Sequence, residues 1–175
     1  MIIKFIFYMK LFRSIIKTPI GDMVALNSNN YLFYLQFHDD LYNSKEKLEK
    51  FILKYKIELS LQESEISKKL QKELDEYFNG VRKDFSINLQ PPGTEFQNLV
   101  WNQIRQIPYG ATESYKDMSI KIDRPNSYRA IGNANAMNKI AIFIPCHRVI
   151  DHDGGVSGYS WGVDRKKFLM DLEKN

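Results

Sequence analysis

Apolar positions recur along this chain with two periods, and the change between them divides it. Residues 11–17 and 23–27 predict strands around a turn at Thr18-Pro19-Ile20-Gly21. Residues 31–37, YLFYLQF, predict a largely buried strand. Leu48, Phe51, Ile52 and Tyr55 then fall at helical spacing, as do Ile66, Leu70, Leu74, Tyr77 and Phe78. Lys45, Glu46, Lys50, Lys68 and Lys72 fill the gaps as solvated helix faces. The first part is therefore a small α/β unit, and no residue in it shows catalytic spacing. The run Gln90-Pro91-Pro92-Gly93 interrupts both periods, because neither helix nor strand interiors tolerate it.

Beyond that break the pattern turns helical. Thr94-x-x-Gln97 is a capping box, and Phe96, Leu99, Val100, Ile104 and Ile107 make one apolar stripe that ends at Pro108-Tyr109-Gly110. Phe96 and Trp101 are expected in the core. Ser114-x-x-Asp117 opens a second, short helix, Asp123-Arg124-Pro125-Asn126 is a tight turn, and Ser127 caps a third helix reaching Ala136. Two short helices about a tight turn outline a helix-turn-helix, a weak signal alone. Residues 139–144, KIAIFI, are expected to run extended, Asp153-Gly154-Gly155 to turn, and Val163, Phe168, Leu169 and Leu172 to mark a final helix. His38 is expected at a strand end and His152 on the surface.

Composition narrows the function classes. The 175 residues are 43% hydrophobic and 26% charged, ordinary for a globular chain. The net charge of +4 is shared between the halves, with no basic arm. A nucleic-acid partner would have to be met by a shaped surface rather than a charge block. The opening nine residues, MIIKFIFYM, are too short to span a membrane and lack a secretory pattern, so an opening strand or a leader is expected, with Met9 an alternative start. The single cysteine, Cys146, excludes an internal disulfide and a cysteine-rich metal cluster, and it suits a reducing compartment.

Cys146 is either a buried small residue or a nucleophile. It lies in Ile144-Pro145-Cys146-His147-Arg148-Val149. The imidazole and guanidinium that follow it make an electropositive setting that favours thiolate. Adjacent side chains point apart in a strand, so Cys146 and His147 pair only if the chain turns there or a water bridges them. A papain-like hydrolase would need a distant histidine with an orienting Asn or Asp, and only His38 and His152 remain.

The stretch from Gly93 to Glu173 resembles the C-terminal domain of the methylated-DNA–protein-cysteine methyltransferases, the O6-alkylguanine-DNA alkyltransferases. The matching blocks are GTEFQNLVWNQIRQIPYG (93–110), Thr112 with Ser114 and Tyr115, RAIGNAN (129–135), Asn138, IPCHRVI (144–150) and GYSWG (158–162). The resemblance implies an α+β fold, with an N-terminal α/β, RNase H-like domain over residues 1–90 and a mostly helical domain with a helix-turn-helix over residues 91–175. It implies that Cys146 accepts an alkyl group from O6 of guanine, or O4 of thymine, once per molecule. His147 would be the base, acting through a water, and Glu173 would polarise it. Asn138 would brace the cysteine loop. Tyr115 would rotate the nucleotide and protonate the leaving guanine. Val149, Tyr159, Ser160 and Trp161 would form the pocket, and Lys166 would support the leaving group. Arg129 would fill the space left by the flipped base, with Ser127, Ala130 and Asn135 also facing DNA.

The set is coherent physically. The reactive carbon lies inside a duplex, so the base must leave the stack at a cost of a few kcal/mol. An inserted side chain offsets part of that cost, and a guanidinium can both stack and face phosphate. Without the resemblance, Tyr115 reads as a packing aromatic, Arg129 as a surface arginine, Asn138 as a helix C-cap and Glu173 as a terminal-helix charge.

Two positions depart from the family pattern. Lys139 stands where proline is usual, which predicts a less rigid approach to the cysteine loop. Trp161 stands where a small residue is common, which predicts an indole near the pocket. No cofactor and no metal are expected, since the first domain has no cysteine for the zinc some family members carry there. The expected partner is double-stranded DNA containing alkylated bases, with no membrane. The expected state is a monomer in the cytoplasm, or the nucleus of a eukaryote. The competing classes are a lesion-binding protein of the alkyltransferase-like type, which replaces the nucleophile, and a thiol hydrolase.

Overall fold

The computed structural model describes residues 8–39, 43–156 and 158–174; most of the opening apolar run, residues 1–7, lies outside them. Strands β1 (Met9–Ile16), β2 (Met23–Asn27) and β3 (Leu32–Phe37) pair antiparallel as a meander. Helix α1 (Ser44–Tyr55) then leads to β4 (Ile57–Ser60), which pairs parallel with β1 and gives the order β3-β2-β1-β4. The periodicity of the chain does not single out β4. It is short, and only Ile57 along it is buried.

Both faces of this sheet are covered, so β2 and β3 are buried at every position, and this explains their near-continuous apolar sequence. On one face Leu11, Val24, Leu26 and Tyr34 pack with Leu48 and Phe51 of α1. On the other, Met23, Ala25, Leu35 and Phe37 join α2 (Glu65–Phe78) through Leu70, Leu74 and Tyr77. The same core continues without a break into the second half of the chain.

That half begins with α3 (Glu95–Ile104), where the expected capping box forms: the Thr94 hydroxyl accepts from Gln97 N at 3.2 Å and Gln97 Oε1 accepts from Thr94 N at 3.0 Å. Trp101 is buried in the core and its Nε1–H donates to the Ala134 carbonyl at 2.8 Å, while Phe96 is partly buried against the same cluster. A short strand β5 (Glu113–Ser114) precedes α4 (Tyr115–Lys121), whose first turn is capped by the Ser114 hydroxyl accepting from Asp117 N at 3.1 Å. After a turn holding Asp123 and Asn126 at positive φ comes α5 (Tyr128–Ala136). Ser127 does not cap it. Its hydroxyl turns back and donates to the Arg124 carbonyl at 2.6 Å, tightening the turn instead. A two-residue strand β6 (Val149–Ile150) pairs with β5, and α6 (Val163–Lys174) closes the chain.

Helix α6 departs from its apolar pattern. Its buried positions are Lys166, Leu169 and Glu173, one turn apart, while Phe168 is half-exposed beside Phe78. Two charged side chains facing inward are costly unless partnered, and their partners lie at the cysteine. Among the described residues no helix is long and apolar enough to cross a membrane.

Candidate active site

The loop carrying Cys146 is folded back on itself rather than extended. Phe143 N donates to Ala141 O at 2.9 Å across Ile142, whose φ is 72°. A β-branched residue rarely adopts that conformation, so surrounding contacts must hold the turn. Edge strand β3 supplies them. Leu35 N donates to Lys139 O at 2.8 Å, Ala141 N donates to Leu35 O at 2.8 Å, and Gln36 Nε2 donates to the Asn138 carbonyl at 2.9 Å. The looseness expected from Lys139 is therefore not found: the first domain's sheet fixes the backbone on both sides of it.

Asn138 is fully buried and ties the ends of the loop together. Its Nδ2 donates to Ile144 O at 2.9 Å and to Cys146 Sγ at 3.1 Å, and its Oδ1 accepts from Ile140 N at 2.9 Å. Cys146 N donates to Ile144 O at 2.7 Å, and residues Cys146–Arg148 form one turn of 3₁₀ helix. The chain thus turns at the thiol, yet no direct hydrogen bond joins Cys146 and His147 among the described residues.

His147 is buried and its Nε2 lies 2.8 Å from Glu173 Oε1. Glu173 is surrounded by donors. Oε1 also accepts from Tyr77 OH at 2.6 Å and Arg148 NH2 at 3.0 Å; Oε2 accepts from Arg148 Nε at 2.8 Å and Gly110 N at 3.2 Å. Gly110 has φ 74°, and a Cβ there would lie 2.6 Å from the Glu173 carbonyl oxygen, so this approach requires glycine. Burial alone would raise the Glu173 pKa, but the bonds from His147, Arg148 and Tyr77 hold it well below the ordinary carboxylate range. Burial likewise lowers the pKa of His147, so its ring is neutral near pH 7. An ionised carboxylate only accepts, so Nε2 carries the hydrogen and Nδ1 the lone pair. Nδ1 is buried without a hydrogen-bond partner among the described residues.

The thiol itself corrects an expectation. Burial pushes its pKa up to about 11, outweighing the Asn138 hydrogen bond and the charge of Lys166, so Cys146 rests as a thiol. The electropositive neighbour is Lys166, not Arg148. The Arg148 guanidinium points away to Glu173, to the Ile107 carbonyl at 2.6 Å and over the Tyr109 ring. Lys166 is fully buried, and its Nζ donates to Val149 O at 2.7 Å.

Cys146 opens on a cavity of about 290 Å³ lined also by Tyr115, Gly132, Asn135, Ala136, Gly158, Tyr159 and Ser160. Tyr115 OH accepts from Asn135 Nδ2 at 3.2 Å; burial raises its pKa, so it stays a proton donor. The Tyr159 hydroxyl is buried close enough to the thiol for each to perturb the other's ionisation, without a formed hydrogen bond. Ser160 Oγ donates to Ala136 O at 2.9 Å on the rim. Val149, Lys166 and Trp161 are not on the wall. Trp161 is buried behind Tyr159, with ring centroids 5.1 Å apart, and meets Phe37 of β3 at 6.2 Å. Its indole is a core side chain joining the two halves, which corrects its placement in the pocket.

Helix α5 forms one side of this cavity and presents Arg129 and Ala130 to solvent, with Ser127 at its start. Arg129 lies over the Tyr128 ring at 5.9 Å. His38 follows β3 and His152 is exposed in a turn; neither touches the site.

Two family models cover nearly all of the chain. Residues 11–91 match the ribonuclease-like domain of 6-O-methylguanine DNA methyltransferase, and residues 95–175 match its DNA binding domain. A methylated-DNA--protein-cysteine methyltransferase of Methanosarcina barkeri is 37% identical over 168 residues, covering 94% of this chain and 98% of that protein. The chain belongs to the 6-O-methylguanine DNA methyltransferase family. A solved family structure, the O6-methylguanine methyltransferase of Mycobacterium tuberculosis, superposes with a TM-score of 0.79 at 32% identity, covering 94% of this chain and 93% of that one. Mycobacterium tuberculosis OGT in complex with DNA superposes with a TM-score of 0.78 over 94% and 92%.

Three participants in this methyltransferase-family site are not marked as such by the sequence pattern. Tyr77 belongs to the apolar stripe of α2, Arg148 is a charge beside the thiol, and Gln36 sits inside a buried strand. Arg148 does carry a signal, since a guanidinium inside an apolar motif needs a carboxylate. Tyr77 and Gln36 carry none, because their partners lie 96 and 102 residues away.

Proposed function

We propose that this protein repairs double-stranded DNA by moving an alkyl group from O6 of guanine to the sulfur of Cys146. The observation that carries the reading is a lone thiol opening on a nucleotide-sized cavity beside α5, backed by a buried carboxylate–imidazole pair. The alkyl–sulfur bond forms as the alkyl–oxygen bond breaks. Because the resting thiol is protonated, its proton must leave as sulfur attacks. His147 Nδ1 takes it through a water, and the Glu173 carboxylate stabilises the imidazolium that forms. Tyr115 delivers a proton to the leaving guanine. Asn138 aims the sulfur, and the charge of Lys166 favours the developing thiolate. The thioether is stable, so each molecule acts once.

The nucleotide reaches the cavity by leaving the stack, and Arg129 on α5 takes its place, with Ser127, Ala130 and Asn135 on the same helix-turn-helix face. Tyr159 and Ser160 hold the base. The unit from residue 91 onward carries the chemistry, while residues 1–90 brace it through β3 and Tyr77. The protein works as a monomer in the compartment that holds the DNA, the cytoplasm or a eukaryotic nucleus.

Incubating the protein with one equivalent of O6-methylguanine duplex and mapping the digest by mass spectrometry tests this. One methyl group appears on the Cys146 peptide, the DNA regains guanine, and Cys146→Ala does neither. Tight binding of the lesion with no mass gain would instead make the chain a lesion-binding protein.

A further inference from the structure

A second cavity of about 280 Å³ adjoins the thiol cavity, and the two share Ala136 and Ser160 as walls. Its lining is unusual in charge. Lys47, Lys50 and Lys54, spaced to lie along one face of α1, meet Lys139 from the cysteine loop, and among the described residues no carboxylate lines it. Lys50 is tied to Glu46 at 2.6 Å and Lys54 lies over the Tyr55 ring at 5.1 Å. Lys47 and Lys139 have no anionic partner among the described residues. Lys139 is half-buried, and burial first, then the charges of Lys54 and Lys47, pulls its pKa down. Ammonium groups converging on one partly desolvated space repel each other, and a bound anion relieves that.

We propose that this cavity binds a backbone phosphate of the DNA strand whose nucleotide enters the thiol cavity, which makes α1 of the first domain part of the DNA-binding surface. The inference rests on the proposed function. The two cavities adjoin through Ala136 and Ser160, which sets the lysines beside the strand that delivers the nucleotide. The location also explains how a chain of small net charge, without a basic arm, engages phosphate: it concentrates four lysines beside the reactive centre. The shared chemistry is phosphate, and free phosphate is the competing source.

Equilibrium binding to an O6-methylguanine duplex, measured against salt in a Cys146→Ser background so that the adduct persists, tests the proposal. Two variants are compared: Lys47→Gln/Lys54→Gln on α1 and Lys139→Gln on the loop, the first being remote from the cysteine loop's backbone. Each phosphate that is no longer neutralised lowers the slope of log Kd against log salt by about 0.9, with a several-fold weaker affinity at low salt. Lys68→Gln/Lys72→Gln on α2, which lines neither cavity, keeps the slope and serves as the charge-matched control. Unchanged slopes in both cavity variants overturn the proposal, as does an equal drop in the control. So does inorganic phosphate shifting the Lys139 side-chain resonance while the DNA slope stays unchanged, since the site would then take a free anion. Methyl transfer by the unsubstituted protein is scored separately, so failure of the repair reading is distinguished from failure of this one.

Discussion

Helices α6 and α5 both meet the loop that carries Cys146, under opposite rules. On α6 the inward residues include Lys166 and Glu173, and their polar atoms are held: Lys166 by Val149 O, Glu173 by five donors from four residues. On α5 the inward residues are Ile131, Ala134 and Asn135, and the charge is outside, where Arg129 lies over the Tyr128 ring. The difference separates preparing a reaction from meeting a partner. Charges that tune a proton transfer must be fixed before the substrate arrives, so the fold commits tertiary contacts to them. Arg129, proposed to replace a flipped base, would find its counterpart in DNA, and the fold leaves it loose.

Removing the locked charge gives the largest effect. Glu173→Ala leaves Arg148 buried without its partner, and stability falls by about 3–5 kcal/mol, measured by urea unfolding. Glu173→Gln keeps the shape, but transfer slows by roughly a hundredfold or more as the base loses its support, measured by single-turnover quenching. Retention of full rate would mean that His147 needs no carboxylate. The same group sets the acid limit. The lowered pKa of Glu173 gives stability that is present above its ordinary value and lost as pH falls through the folded one. His147, whose pKa is also lowered, adds a loss beginning as pH falls below its ordinary 6.5, because the unfolded chain then binds a proton the folded site refuses. Unfolding curves across acid pH check this: Glu173→Gln removes the part lost below the ordinary carboxylate value and leaves the part due to His147.

A smaller effect tests whether the first domain belongs to the locked side. Tyr77→Phe removes one charge-assisted bond, costing about 1.5–3 kcal/mol of stability. The Glu173 pKa rises, which moves the acid limb of the pH–rate profile upward. A destabilised protein with an unmoved profile would reduce Tyr77 to packing. The smallest effect on stability belongs to α5. Arg129→Ala changes it by no more than about 0.5 kcal/mol. The same variant slows repair of duplex DNA by about tenfold, for roughly 1.4 kcal/mol of unstacking no longer offset. Transfer from a free O6-alkylguanine base is unchanged, since no stack is opened.

The sequence makes the long helices legible, because Ile66, Leu70, Leu74 and Tyr77 on α2, and Thr94 with Gln97 on α3, carry their signals within one element. The motif around Cys146 brings His147 to notice, while Glu173 and Asn138 are reached only through the family resemblance; the three lie around the thiol loop in the fold. Long-range features are not legible. Strand β4 exists because β1 offers an edge, and the turn at Ile142 exists because β3 grips both sides of it. Trp161 is misplaced by its motif because a bulky residue in a pocket-like run reads as a lining residue, whereas Phe37, 124 residues earlier, claims its ring. The protonation state of Cys146 is inverted for the same reason: adjacent charges are visible in the sequence, but burial is not.

The resting protonation of this thiol decides how the chemistry must run. Since Cys146 is the only cysteine, the ultraviolet absorbance of its thiolate, taken as the difference from Cys146→Ser across pH, reports this sulfur alone. The expected result is no thiolate at neutral pH and a rise centred near the value of about 11 to which burial pushes this group. A thiolate already present at neutral pH would contradict it, and would leave His147 and Glu173 without a proton to move.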